Sequence, residues 1–147
     1  MTARFRLMPV LLVLLAPRIA AQGDAWEREV RLHLSQAARR LHDTGYDQIL
    51  ESHAGALNTG ESASFTRTLE AGATYVLTGV CDPDCDALDL ALYAPNGYEV
   101  DAARSAESAP IVQVAPRETG VYRLRVVMTR CTTNPCRYGV ALFRKRQ

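Results

Sequence analysis

Two hydrophobic periods divide the chain, and the change falls at Gly45. Before it, Trp26, Val30, Leu34, Ala37 and Leu41 recur at spacings of 4, 4, 3 and 4, a single apolar stripe on a helix. Arg28, Arg31, Gln36, Arg39 and Arg40 fall mostly off that stripe. Asp24 and Glu27 stand in the D-x-x-E arrangement of a capping pair, and Gly45 is a stop signal. The spacing predicts a helix over 25–43, inside an N-terminal unit of 23–45. Its stripe needs an apolar surface, for which one face or end of the following domain is the obvious choice. A partner or a membrane surface is the sharper alternative.

After Gly45 the apolar positions alternate. A first strand is expected over 46–52, with Ala54-Gly55-Ala56 and Asn58-Thr59-Gly60 breaking the chain. Phe65 and Leu69 then share one face, and Ser64, Thr66 and Thr68 the other. Thr74 to Val80 is β-branched and aromatic. Leu88, Leu90 and Leu92 alternate with Ala87, Asp89 and Ala91, and Pro95-Asn96-Gly97 turns the chain. A weaker strand over 98–103, a loop over 104–109 and a strand at 111–115 follow. Tyr122, Leu124, Val126 and Met128 form one face of the next strand, and Tyr138, Val140 and Leu142 one face of the last. About eight short antiparallel strands at this spacing make a mainly β domain over 46–147, a β-sandwich or jelly roll. Followed as an up-and-down path, the strands bring the loops at Cys81–Cys85 and Cys131–Cys136 to the same end.

The first 22 residues have the form of an export signal: Arg4 and Arg6, an apolar run from Leu7 to Ala16, then Pro17 and Arg18. Small residues put the cut near 21–23, and ten residues are too few to span a bilayer, so no membrane span is expected after cleavage. An uncleaved anchor is the alternative. Export implies a periplasmic or secreted protein, an oxidising setting in which Cys81, Cys85, Cys131 and Cys136 are expected as disulfides. Local pairing, Cys81 with Cys85 and Cys131 with Cys136, suits two tight turns. Crossed pairing stays open, because closing a longer loop stabilises by roughly 4 kcal/mol against about 2 for a short one. Taking Arg4, Arg6 and Arg18 from 17 basic residues leaves 14 against 16 acidic, a net charge of −2. That balance gives no electrostatic case for nucleic acid.

Asp82, Asp84, Asp86 and Asp89 place four carboxylates in eight residues. Carboxylates crowded this way take up protons or a cation, and alternating Asp on a tight loop suits calcium. The same residues also cap turn amides, which needs no metal. A glycine at the sixth position and a distal glutamate are missing, so this is no EF-hand. His33, His42 and His53 all precede the strand-rich stretch, the first two at the helix's solvent edge. There is no G-x-S-x-G and no H-E-x-x-H. Tyr93 and Tyr98 are expected to pack over the Pro-Asn-Gly turn.

Leu69-x-Ala-Gly72-x-x-Tyr75, Leu88-Asp89-Leu90-x-Leu92-Tyr93-x-Pro-Asn-Gly97 and Gly120-x-Tyr122-x-Leu-x-Val126 together resemble the bacterial pre-peptidase C-terminal domain, over about 57–143. The C-D-x-D-C and C-x-x-x-P-C loops place the resemblance nearest a stand-alone, Cys-bearing exported subtype. It implies a β-sandwich without catalysis, acting in binding or secretion, in some members with calcium. The expected protein is therefore a non-enzymatic exported module with an unknown protein or polysaccharide partner. An envelope protein docking through its N-terminal helix is the alternative, and a small secreted hydrolase a weaker one.

Overall fold

The computed structural model describes residues 19–104 and 109–147, with side chains from Ala25 onward. The expected signal lies outside the described residues as far as residue 18. One helix, α1 (Ile19–Asp43), precedes eight strands: β1 (Tyr46–Leu57), β2 (Ser62–Leu69), β3 (Tyr75–Cys81), β4 (Cys85–Tyr93), β5 (Glu99–Ala103), β6 (Ile111–Val114), β7 (Gly120–Cys131) and β8 (Cys136–Lys145). They form two antiparallel four-stranded sheets, ordered β1-β8-β3-β6 and β2-β7-β4-β5.

This order is a jelly roll and not an up-and-down path. Strands β1 and β8, β2 and β7, β3 and β6, and β4 and β5 all pair. The chain is one long ribbon folded over on itself, with the Pro-Asn-Gly turn at its tip. There the Gly97 amide donates to the Ala94 carbonyl at 2.9 Å, and Gly97 sits at φ 87°, a conformation that favours glycine. Because every strand still runs antiparallel to its neighbours, the two Cys loops share one end, as the simpler path also requires.

Leu69, Tyr75, Leu77, Leu88, Leu90, Leu92, Tyr122, Leu124, Val126, Met128, Tyr138, Val140 and Leu142 interdigitate between the sheets. A second, smaller core lies on the outer face of the β1-β8-β3-β6 sheet. There Val30 and Leu34 of α1 meet Val76, Val80, Ala141 and Phe143, with Ala38, Leu41 and Tyr46 at the margin. The stripe thus lies on its own domain. Its approach depends on Gly139, where a Cβ would stand 2.5 Å from Leu34 Cδ1 and 2.8 Å from Val30 Cγ1.

Two boundaries differ from expectation. Within the described residues the helix already runs through Ile19, Ala20, Ala21 and Gln22, the last three good helix formers, so Asp24 lies inside it and not at its cap. Strand β1 runs on to Leu57 through Ala54-Gly55-Ala56, which pair with Gly139, Tyr138 and Arg137. Small residues are required there: a Cβ on Gly55 would come within 3.0 Å of the Tyr138 ring. What looks locally like a turn is a strand under an aromatic ring. Among the described residues, no helix is long and apolar enough to cross a membrane.

Candidate functional site

The rim that gathers the loops 58–61, 82–84 and 132–135 carries the chemistry the sequence singles out. Disulfides join Cys81 to Cys85 and Cys131 to Cys136, each with Cα atoms 5.9 Å apart. They are neighbours, because Cys85 and Cys131 are register partners across β4 and β7. Hydrogen bonds knit the loops together. The Thr132 amide and hydroxyl both donate to the Asp84 carbonyl, at 2.8 and 2.9 Å. The Thr59 amide donates to Asn134 Oδ1 at 2.9 Å, and the Cys131 amide to Thr59 Oγ1 at 3.1 Å.

The four loop carboxylates do not converge. Asp82 turns inward and is only 2% exposed. Its amide donates to the Arg137 carbonyl at 3.0 Å, and the Arg137 amide donates back to Asp82 Oδ2 at 2.7 Å. Asp82 Oδ1 is buried with no hydrogen-bond donor. Burial raises the Asp82 pKa above the ordinary carboxylate range and the nearby Asp84 charge adds to this, while the Arg137 amide and guanidinium and the Asp84 amide pull the other way. Asp86 is exposed and pairs with Arg130 at 3.4 Å. Asp84 is half-buried in the turn, and Asp89 stands half-buried further along β4, opposite Val127 of β7. Among the described residues, no three His, Cys, Asp or Glu side chains lie close enough to hold a metal ion together.

The histidines are apart from one another. His42 lies 3.9 Å from Asp47 at the helix end. His53 is exposed on β1, where its ring meets that of Phe65 at 4.4 Å between centroids, tilted by 55°. His33 is half-buried, not at the solvent edge, and with Gln36 and Arg40 it forms one wall of a cavity of about 520 Å³. Thr78, Val80, Asp82 and Ile111 line it from the sheet side, beside the Cys81–Cys85 bridge. Sequence reasoning missed this cavity. The signal was available, since positions 33, 36 and 40 share one flank beside the buried stripe. The tyrosines also separate. Tyr93 packs beneath the Arg123 guanidinium at 4.3 Å, whereas Tyr98 is 75% exposed and does not pack over the turn.

No protein-family model matches the chain, and no curated protein does. Among solved structures it is similar to the pre-peptidase C-terminal domain of a collagenase from Bacillus anthracis. The TM-score is 0.51 and the identity 11%, over 62% of this chain and 86% of that one. It is also similar to PliG of Aeromonas hydrophila, a periplasmic inhibitor of g-type lysozyme, with a TM-score of 0.49 and 12% identity over 69% of this chain and 87% of that one. The β-sandwich of this chain has the fold of the pre-peptidase C-terminal domain.

Proposed function

We propose that this chain is an exported, non-catalytic binding or structural module, placed in the periplasm or outside the cell. One observation carries the reading: all four cysteines are joined in two disulfides at one rim of the sandwich. Disulfides of this kind persist in oxidising compartments and not in the cytosol. The arginine-flanked apolar run at the N-terminus supplies the route. The fold shared with a pre-peptidase C-terminal domain is consistent with a module that binds or stabilises.

The test is to express the full chain in a bacterial host, fractionate the cells and weigh the product. The expected product leaves the cytoplasm, starts near residues 22–24 and is lighter by four hydrogens than the reduced chain. Free thiols in exported protein would overturn the reading. Loop stabilisation is assigned to turn hydrogen bonds, because Asp82 and Asp86 already have protein partners. A chelator should therefore leave the melting temperature unchanged; a clear fall would assign the loop to calcium instead.

A further inference from the structure

We infer that the cavity between α1 and the disulfide rim binds a small zwitterion, an amino acid or a short peptide, with its ammonium toward Asp82 and its carboxylate toward Arg40. This deepens the binding-module reading and rests on it. The cavity, about 520 Å³, lies in the size range of small-molecule sites. Its two walls differ in chemistry. On the helix side His33, Gln36 and Arg40 present nitrogen donors, and none of the three side chains makes a hydrogen bond or ion pair among the described residues. On the sheet side stands the Asp82 carboxylate, buried, with Oδ1 lacking a donor and with no ion-pair partner among the described residues. Val80 and Ile111 add apolar lining to the same cavity.

The poles select the ligand. A cation alone would meet Arg40, and an anion alone would meet Asp82. A molecule carrying both charges answers both, and its side chain lies on the apolar wall. Charges held at fixed positions beside a low-dielectric wall act more strongly than the same charges in water. The field of Asp82 is only partly answered by Arg137, whose guanidinium lowers the carboxyl's pKa without closing an ion pair.

The test uses the purified, oxidised full-length protein and four probes followed by amide NMR shifts. L-leucine and leucyl-leucine are the zwitterions; isoamylamine lacks the carboxylate and isocaproate lacks the ammonium. A zwitterion should shift the amides of His33, Gln36, Thr78 and Asp82, with both single-charge relatives weaker by about tenfold or more. Leucine and its dipeptide separate a free amino acid from a peptide chain. Arg40→Gln should weaken binding about tenfold while leaving the fold intact, because its side chain is exposed, and Arg39→Gln should change nothing. Asp82→Asn should weaken it likewise. Equal binding by isoamylamine or isocaproate, shifts located away from the cavity, or no shift by any probe up to about 10 mM would each overturn the inference. Export and disulfide content are read separately by mass, so failure here is distinct from failure of the exported-module reading.

Discussion

The two sheets have the same number of strands and opposite exteriors. In the β1-β8-β3-β6 sheet, every residue of β3 from Tyr75 to Cys81 is buried, because the other sheet covers one face and α1 the other. In the β2-β7-β4-β5 sheet, β7 alternates. Tyr122, Leu124, Val126 and Met128 are buried, while Arg123 and Thr129 face water. The sequences encode this difference. Strand β3 reads Tyr-Val-Leu-Thr-Gly-Val-Cys, with no charged position, whereas β7 places arginine between its apolar residues. A near-continuous apolar strand requires cover on both faces, and an alternating one requires it on a single face. The helix is therefore part of the domain's core and not an appendage to it.

Removing the helix should break the comparison outright. Val30, Leu34, Val76, Val80 and Phe143 each bury a side chain worth about 1.5–3 kcal/mol. Their sum is comparable with the roughly 5–15 kcal/mol that holds a whole domain. A chain beginning at residue 44 should lose its cooperative melting transition and aggregate. Recovery of a folded, soluble β-domain would return the helix to a docking role. Next in size is Leu34→Ala, expected to cost about 2–5 kcal/mol by denaturant titration. Its counterpart on the bare exterior, Val121→Ala, should change stability by no more than about 0.5 kcal/mol. Gly139→Val belongs with the first of these. It drives a branched side chain into Leu34 and Val30, and should cost about 1–3 kcal/mol and loosen the helix.

The double cover of β3 and the single cover of β7 were both legible in the order of residues, because burial follows period. So were the helix stripe and the Pro-Asn-Gly turn, while the sequence preferred the local disulfides and left crossed pairing open. What was not legible depends on distant partners. Ala54-Gly55-Ala56 looks like a break until Tyr138 is seen lying over Gly55. The jelly-roll order is a matter of which strands pair, and a period of two fits an up-and-down path equally well. In the acidic loop, the run of carboxylates suggested a cluster. The tight turn and strand alternation send Asp82 inward, Asp86 to Arg130 and Asp89 further along β4. The cavity was hidden for a related reason, since half of it comes from α1 and half from the rim.

The shared rim offers a smaller, symmetrical test. Each bridge closes a loop of only a few residues, so chain entropy assigns each about 2 kcal/mol. The surroundings are unequal. Cys81, Cys85 and Cys136 are all buried, whereas Cys131 is only half-buried. Replacing Cys81 and Cys85 together by serine should therefore cost more than replacing Cys131 and Cys136, because the first pair leaves two hydroxyls in buried positions and the second leaves one. Equal losses, measured by thermal unfolding of the two double variants, would show that chain entropy alone sets the value of the bridges.

The finest distinction is one of slope with pH, and it again separates covered from bare. Burial raises the Asp82 pKa in the folded state above its unfolded value, so the charged form is the disfavoured one. Between the unfolded pKa and the raised folded pKa, the folded state binds more protons than the unfolded state. Stability contributed by this residue is therefore greatest below the unfolded value and declines as pH rises through the folded one. Glu61 and Glu99, on the exposed surface, have lowered values, set by hydrogen bonds from Asn58 and Arg104 respectively, and act in the opposite sense. The overall pH profile mixes these signs, so the informative quantity is the difference between the native protein and Asp82→Asn. On acidification from neutral pH, the native protein should gain stability relative to the variant. The gain should be complete once the pH is below the unfolded pKa of an aspartate. A difference that does not change with pH would mean that Asp82 meets the same surroundings folded and unfolded, contrary to its burial beneath the rim.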